Sequence, residues 1–281
     1  MFITFLFAFC FSVSKFPPSL VPQPKSYKVD DPDDTWTLSK KTTIAYPEGT
    51  DGVLDVVNYF ARILRVSTGY VINITTTEAK TGIKLRIDST LKDEAYKLVV
   101  ASSSVVITAS NSRGLFYGFQ TLLQLLPAAI YSNKTVTSKI QKINPNFEWK
   151  AQPLVKVSDS ARFSYRGLML DSCRHFFPVD VIKTMIDGMS HYKLNYLHFH
   201  LTDDQGWRIE LKKFPLLIKY GTTRDSSPKM WDRNPQDDTP YGPYYYTEEE
   251  IKDIISYAKA RCVTVVPEIE MPGHGISCLA G

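Results

Sequence analysis

The chain has 281 residues, of which 43% are hydrophobic and 12% aromatic, with 33 basic and 29 acidic side chains and a formal net charge of +4. This composition is typical of a globular protein of one or two domains and excludes a largely disordered chain. The charges are mixed and form no basic run, so nucleic acid is not expected as a partner.

The chain begins with an apolar stretch, MFITFLFAFCFSVSKF, whose core of about a dozen residues is shorter than the ~20 that span a bilayer. The tripeptide Ser12-Val13-Ser14 suits signal-peptidase cleavage, so residues 1–14 are predicted to be a signal peptide. No other stretch could span a membrane, and sequons at Asn73 and Asn133 agree with export. We therefore expect a protein of the secretory pathway, either secreted or lysosomal.

Four cysteines are present, and Cys10 would leave with the signal peptide. The remaining Cys173, Cys262 and Cys278 are odd in number, so at least one is free or pairs outside these residues. Cys173 and Cys262 flank predicted strands, and we expect them to be buried structural thiols.

Residues 16–163 have a compact, mixed pattern that predicts a small α+β domain. Apolar residues recur at helical spacing in two segments, one ending at Gly69 and one at Pro127. These residues are Val53, Val56, Val57, Phe60 and Leu64, then Leu115, Phe116, Phe119, Leu122, Leu123 and Leu126. Alternation at residues 83–87 predicts a half-buried strand, and residues 95–100 and 105–109 predict two more. We expect helices stacked on an antiparallel sheet, without catalytic residues.

From residue 164 to residue 281, strands alternate with helices, which predicts a parallel sheet. The predicted strands cover residues 166–171, 194–201 and 263–269. One helix follows Pro178, and another follows a capping box of Thr247 and Glu250. Their predicted core faces are Ile182, Met185, Ile186 and Met189, and Ile251, Ile254, Ile255 and Ala258. Polar strand ends are typical of a (β/α)8 TIM barrel, which needs ~250 residues, so only about its first three strands are expected here.

The end of the first strand carries Asp171, Arg174 and His175. A guanidinium at this position can donate two hydrogen bonds to neighbouring sugar hydroxyls. The alternative is an ion pair between Arg174 and Asp171 that fixes the loop. The sequence leaves both interpretations open.

The end of the second strand places His198 and His200 on one face, with Asp203 and Asp204 just beyond. Two histidines and two aspartates at one strand end favour a functional site. One interpretation is a hydrogen-bonded chain in which Asp203 orients a histidine beside a catalytic acid.

The end of the third strand carries Glu268 and Glu270 on one face, and a Pro-Gly turn that presents His274. These residues could also complete a divalent metal site around His198 and His200, because two imidazoles on one face can bind one ion. The metal site is the alternative to the hydrogen-bonded chain.

Three segments carry a resemblance to family-20 glycoside hydrolases, the β-N-acetylhexosaminidases. They are RGLMLDSCRHF at 166–176, KLNYLHFHLTDD at 193–204 and PEIEMPGH at 267–274. The segments DEAYKL at 93–98 and GLFYG at 114–118 resemble the small accessory domain of the same family.

The resemblance implies release of terminal non-reducing N-acetylhexosamine, either GlcNAc or GalNAc, from glycoconjugates. In this family the acetamido carbonyl of the substrate attacks the anomeric carbon, and the configuration is retained. Arg174 should bind the sugar hydroxyls, and Asp203 and His274 should form the relay that tunes the general acid. The other residues expected to bind substrate are Asp171, His200, Asp204 and Glu270.

The acid of this family belongs to an Asp-Glu pair on the fourth barrel strand, usually after two glycines. The only Asp-Glu dipeptide in these 281 residues is Asp93-Glu94, which follows Leu91-Lys92 in the first domain. We expect this dipeptide to have no catalytic role, and we expect the chain to be truncated and inactive alone. Trp207 is expected to pack or to anchor a loop.

Two other functions stay open. One is a non-catalytic glycan-binding relative that keeps Arg174, and the other is a metal-dependent, amidohydrolase-like barrel.

The expected partners are N-acetylhexosamine-terminated glycans and, for a full-length enzyme, a second copy in a homodimer. No cofactor and no metal are expected. An incomplete barrel would leave its third strand as an unpaired edge, so we also expect aggregation or poor packing of the C-terminal half.

Overall fold

The computed structural model describes residues 19–77, 80–151, 153–228 and 236–280. The predicted signal peptide at residues 1–14 lies outside these ranges. No helix within them is both long enough and apolar enough to cross a bilayer. The described chain folds into two domains, and the last strand of the first ends at Asp159 before the first strand of the second begins at Gly167.

The first domain consists of helices packed on one large sheet. Its elements are β1 (Ser26–Asp31), β2 (Trp36–Leu38), β3 (Thr43–Ala45), α1 (Val53–Thr68), β4 (Asn73–Thr75), β5 (Gly82–Ile87), β6 (Tyr96–Ala101), β7 (Ser104–Ala109), α2 (Ser112–Leu125), α3 (Thr137–Ile143), β8 (Trp149–Ala151) and β9 (Leu154–Asp159), with a 3₁₀ helix at Ala128–Tyr131. Seven strands form a sheet in the order β1-β9-β6-β7-β5-β3-β4, and β2 pairs with β8. The predicted α+β architecture is confirmed.

The direction of the strands corrects the prediction of an antiparallel sheet, because the sheet is mixed. β6 runs antiparallel to β7 and β9, but β5 runs parallel to β7 and to β3. Parallel neighbours require a crossover, and α1 lies in the connection between β3 and β5. Alternation of apolar residues reports which face a strand buries, and it does not report the direction of its neighbour.

The predicted core of the first domain is confirmed. All residues expected on the apolar faces of α1 and α2 are buried, and the rings of Phe60 and Phe119 stack with centroids 4.4 Å apart. The first helix ends at Gly69, whose backbone is left-handed with φ 74, as glycine allows at a helix end. The second begins where the Asn111 side chain accepts a hydrogen bond from the Gly114 N–H.

The second domain is part of a barrel. Its elements are β10 (Gly167–Asp171), α4 (Val179–His191), β11 (Tyr196–His200), β12 (Thr202–Asp203), β13 (Gly206–Trp207), α5 (Pro215–Gly221), β14 (Ser227–Pro228), β15 (Gln236–Asp237), α6 (Glu248–Lys259), β16 (Thr264–Glu268) and α7 (Ile276–Leu279). Strands β10, β11 and β16 form a parallel sheet in chain order, which confirms the predicted arrangement of strands and helices. Within the described residues, β16 has a strand partner on one side only.

The two faces of the central strand β11 differ. Leu197 and Phe199 are buried against α4 and α6, whereas His198 and His200 lie on the opposite face. The predicted capping box of α6 is present, with reciprocal hydrogen bonds between Thr247 and Glu250. The predicted apolar faces of the helices are confirmed except at Ile255, which is 48% exposed.

The two domains meet through a polar interface near the amino-terminal ends of β10 and β11. The buried carboxylate of Glu94 accepts hydrogen bonds from Arg166 Nη1 at 2.8 Å and from Asn195 Nδ2 at 3.3 Å. Nearby, Lys193 Nζ donates to the Tyr96 hydroxyl at 2.8 Å. These contacts attach the base of the parallel sheet to the first domain.

Candidate functional site

The candidate site lies at the carboxyl ends of the three parallel strands. Asp171, His200 and Glu268 occupy one row across β10, β11 and β16, because Asp171 pairs with His200 in register and His200 pairs with Glu268. The loops that follow these strands bring Arg174, Asp203 and His274 to the same row. The structure therefore brings together the residues that the sequence placed at three separate strand ends.

Asp203 is the centre of this cluster, and its side chain is only 1% exposed. Its Oδ2 accepts a hydrogen bond from Arg174 Nη2 at 2.6 Å and lies 3.2 Å from His200 Nε2. Its Oδ1 lies 3.2 Å from His274 Nδ1 and accepts the backbone N–H of Asp204 at 2.6 Å. Both oxygens of this buried carboxylate therefore face donors, as a buried charged group requires.

The predicted ion pair between Arg174 and Asp171 is present. Arg174 Nη1 donates to Asp171 Oδ2 at 2.8 Å, and the backbone N–H of Arg174 donates to Asp171 Oδ1 at 3.0 Å. Burial raises the pKa of Asp171, but the hydrogen bonds from Arg174 outweigh it and hold that pKa below its ordinary value. The Arg174 side chain is still 41% exposed, so the pair leaves part of the guanidinium open to a ligand.

His200 is held between two carboxylates and is 5% exposed. Its Nδ1 lies 2.5 Å from Glu268 Oε2, and its Nε2 faces Asp203. Burial lowers the pKa of His200, but the hydrogen bonds with Glu268 and Asp203 outweigh burial and raise it. Both ring nitrogens can donate only when the imidazole is protonated. The structure thus places His200 behind the other site residues, and its predicted contact with substrate stays a prediction.

Glu268 also binds the second histidine of β11. Its Oε2 lies 2.5 Å from His198 Nε2, so one carboxylate oxygen bridges both histidines. Burial raises the pKa of Glu268, whereas the hydrogen bonds from His200 and His198 lower it by more. A continuous chain of polar contacts therefore runs from His198 through Glu268 and His200 to Asp203.

The turn after β16 fixes His274 over the cluster. The backbone of His274 is left-handed with φ 51, and its Nδ1 lies 3.6 Å from Asp204 Oδ2. Asp204 Oδ1 accepts the backbone N–H of Ile276 at 3.2 Å, and the Glu270 N–H donates to Thr202 Oγ1 at 2.8 Å. These bonds join the turn to the segment that follows β11.

The residues of the metal alternative do not form one group, and His198 belongs to neither of the two groups of close donor atoms found among the described residues. His200, Glu268 and Glu270 have donor atoms within 4.8 Å of one another, and so do Asp203, Asp204 and His274. His274 therefore lies with the aspartates and not with the two histidines of β11. Each group offers three donor side chains, which is the number that a catalytic zinc site uses.

The environments of Trp207 and Cys173 agree with the sequence interpretation, whereas Cys262, which was expected to be buried, is partly exposed. Trp207 is buried, and its indole N–H donates to the Ile209 carbonyl at 2.7 Å, which confirms a packing role. Cys173, Cys262 and Cys278 are all free. Burial raises the pKa of Cys173 and of Cys262 to about 12.

One residue near the site was missed by the sequence analysis. Arg208 is fully buried directly after β13, where its guanidinium binds backbone carbonyls of the surrounding loops. The available signal was its position in the sequence, directly after a tryptophan that was predicted to be packed. An arginine beside a buried residue can itself be buried, and a buried arginine needs several hydrogen-bond acceptors.

Two family profiles match the chain. One is described as glycosyl hydrolase family 20, domain 2, and matches residues 17–144, and the other is described as its catalytic domain and matches residues 163–281. The chain belongs to glycosyl hydrolase family 20. A β-hexosaminidase of Porphyromonas gingivalis is 38% identical over 266 residues, which are 93% of this chain and 31% of the relative. β-Hexosaminidase 3 of Arabidopsis thaliana is 34% identical over 66% of this chain and 30% of the relative.

Solved structures of family 20 share the fold. The β-N-acetylhexosaminidase of Streptomyces coelicolor has a TM-score of 0.77 and 34% identity, over 92% of this chain and 47% of that one. The Streptomyces plicatus enzyme in complex with thio-NAglucal has the same TM-score and 36% identity, over the same shares of both chains. The chain thus spans about a third of the length of these curated family 20 relatives and just under half of the solved chains.

Proposed function

We propose that this family 20 chain forms the sugar-binding side of a β-N-acetylhexosaminidase site. The observation that carries the proposal is the position of Arg174 at the strand ends. Its guanidinium is held by Asp171 and Asp203 and remains partly open to solvent. A fixed, exposed fork of N–H donors can bind two neighbouring sugar hydroxyls at once. The substrate class is glycans with a terminal non-reducing N-acetylhexosamine.

The names of the relatives support this substrate class. The curated relatives cited above are β-hexosaminidases, and one Streptomyces plicatus variant was solved in complex with GlcNAc as product. In the proposed site, Arg174 binds the sugar hydroxyls, while Asp171, Asp204 and Glu270 surround it. The pair of Asp203 and His274 acts as the relay that tunes a general acid in substrate-assisted, retaining hydrolysis.

We propose that the general acid whose pKa Asp203 and His274 would adjust is not among these 281 residues. The only Asp-Glu dipeptide is Asp93-Glu94, and the carboxylate of Glu94 is buried in the domain interface, where Arg166 and Asn195 bind it. We therefore propose that the 281-residue polypeptide binds the sugar without hydrolysing it. A non-catalytic glycan-binding protein is the second candidate function, and it is favoured by the same position of Arg174.

Two measurements on the purified chain test the proposal. Titration with GlcNAc, followed by NMR, should give saturable binding in the millimolar range, and glucose, which lacks the acetamido group, should bind more weakly. Incubation with an aryl N-acetylglucosaminide should give no product. Absence of GlcNAc binding would overturn the proposed sugar site, whereas inhibitor-sensitive hydrolysis would overturn the proposed inactivity.

One further measurement distinguishes the proposed sugar site from the alternative, a metal-dependent hydrolase. The chain should keep its GlcNAc affinity after dialysis against a chelator, and metal analysis should find no stoichiometric zinc. Loss of binding that zinc restores would favour the metal alternative.

We further propose export to the secretory pathway and a homodimer of a full-length enzyme. Fractionation of expressing cells would test the first, and sedimentation would test the second.

A further inference from the structure

Arg208 has an unusual environment for an arginine. Its side chain is fully buried, and the described residues include no carboxylate that pairs with it. All of its hydrogen-bond acceptors are backbone carbonyls. They are Cys173 (from Nε at 3.1 Å and Nη2 at 2.9 Å), Gln205 (from Nη2 at 3.2 Å), Thr222 (from Nη1 at 2.8 Å) and Tyr244 (from Nη1 at 3.0 Å). All three guanidinium nitrogens are thus used to bind backbone.

These carbonyls belong to three separate loops at the carboxyl ends of the strands. Cys173 directly precedes Arg174, Gln205 lies two residues after Asp203, and the other two carbonyls belong to the loop that connects α5 with α6. The Cys173 thiol adds a further link, because its Sγ donates to the Gly206 carbonyl at 2.7 Å. Arg208 is therefore the common anchor of the loops that carry Arg174 and Asp203.

The chain makes room for this guanidinium at Gly206. A Cβ atom at that position would lie 2.2 Å from the Arg208 Cζ, a distance that forces a rearrangement. The absence of a side chain at residue 206 thus lets Arg208 fold back over its own turn to reach Cys173.

We propose that Arg208 is a positioning residue for the sugar-binding Arg174: it holds the Cys173 carbonyl against the Asp203 turn, so that the Arg174 guanidinium is fixed where the sugar hydroxyls bind. The inference rests on the proposed function of Arg174. Arg208 is closed off from solvent, so it acts through the backbone and does not touch the sugar.

Lysine cannot replace this anchor. A lysine ammonium group keeps the positive charge, but its three donors all lie on one nitrogen. It therefore cannot reach carbonyl groups that bind different nitrogens of the planar guanidinium. The variant Arg208→Lys therefore leaves at least one buried carbonyl of the three loops without its donor, which releases the Arg174 loop. The fold outside this region should be kept, because the described carbonyls that accept hydrogen bonds from Arg208 all belong to these three loops.

The experiment compares Arg208→Lys with a matched control, Arg65→Lys. Arg65 also donates from its guanidinium to a backbone carbonyl, that of Ile72, but it lies in the first domain. Two readouts are needed: the dissociation constant for GlcNAc, measured by NMR well below the melting temperature, and amide hydrogen exchange of residues 172–176. The exchange readout is suitable because the N–H groups of Ser172, Cys173, Arg174 and Phe176 all have acceptors.

We expect Arg208→Lys to raise the dissociation constant about tenfold and to speed exchange of residues 172–176 by about tenfold or more. The Arg65→Lys variant should match the wild type in both. A lower melting temperature with unchanged affinity and exchange would overturn the inference and leave only a structural role. If the wild type binds no sugar, the proposed function fails, and exchange alone decides whether Arg208 fixes the loop.

Discussion

Arg174 Nη2 donates to Asp203 Oδ2 across 2.6 Å, although the two residues follow different strands of the parallel sheet. The contact joins the residue proposed to hold the sugar to the residue proposed to tune the acid. Because Asp203 is buried and Arg174 is partly exposed, the pair connects the closed part of the site to its open mouth. The two proposed roles are therefore coupled, because a substitution at Arg174 also removes a hydrogen-bond donor from Asp203.

The Arg174→Lys variant tests the proposed sugar contact. Lysine keeps the positive charge near Asp171 and Asp203 but loses the planar fork of donors. We expect GlcNAc affinity to fall between ten- and a hundredfold, since each charge-assisted hydrogen bond contributes roughly 1.5–3 kcal/mol. NMR titration measures the change, with the exposed Arg162→Lys as the control variant. Equal affinity of Arg174→Lys and wild type would contradict the assignment.

The raised pKa of His200 predicts a pH dependence of stability. A pKa raised in the folded state means that the protonated ring stabilises the fold. The contribution is complete below the unfolded-state pKa of about 6.5 and is lost as the pH rises through the folded-state value. We expect the difference in the free energy of unfolding between wild type and His200→Gln to shrink as the pH rises above about 6.5.

His191 supplies the control for this measurement, because burial lowers its pKa. The sign is then reversed: its contribution is present above the unfolded-state pKa and is lost as the pH falls. Urea unfolding of His191→Gln should therefore give the opposite slope below about pH 6.5 and little slope above it, where the His200→Gln difference shrinks. A difference for His200→Gln that grows with pH would rule out the proposed imidazolium between Glu268 and Asp203.

The Glu94→Gln variant tests the domain interface. The change removes the negative charge that faces Arg166, whose side chain is 17% exposed, while the side chain at position 94 is 7% exposed. Breaking a buried pair in this way costs about 3 kcal/mol, because it leaves an uncompensated charge. The matched control is Glu148→Gln, whose exposed pair with Lys150 should contribute about 1 kcal/mol or less. Urea unfolding should separate the two variants, and equal midpoints would show that Glu94 does not hold the domains together.

The cysteines should differ strongly in reactivity. Cys278 is exposed, whereas burial raises the pKa of Cys173 and Cys262 to about 12. Only a thiolate reacts fast with a disulfide reagent, so at about pH 8 we expect Cys278 to react first. Peptide mapping after brief labelling measures the order, and Cys278→Ser should remove the fast reaction while Cys262→Ser keeps it. Rapid labelling of Cys173 would contradict the burial seen in the structure.

The barrel segment could be predicted well because its signals are local. Strand bounds from the sequence agree with the structure to within two residues, and the capping box marks the start of α6. The cluster was also predictable, since the carboxyl ends of parallel strands meet at one edge. That geometry alone placed Arg174, Asp203 and His274 near one another.

The remaining features depend on contacts between distant residues. The strand order of the first domain's sheet follows from pairings such as β1 with β9, whose strands are more than a hundred residues apart in the chain. Glu94 was judged to have no catalytic role, but its partners Arg166 and Asn195 come from the other domain. Arg208 was also missed because most of its partners are distant in the chain. Its hydrogen-bond acceptors are backbone carbonyls, which a pattern of side chains in the sequence does not reveal.

The row formed by Asp171, His200 and Glu268 has a consequence for which changes the site can tolerate. Each of the three side chains reaches the site only because its strand has the correct length and phase. Deleting one residue within β11 would turn His200 toward the helices and Phe199 toward the carboxylates. Substitutions at the rim should therefore alter affinity by degrees, whereas insertions or deletions in these strands should remove the site in a single step.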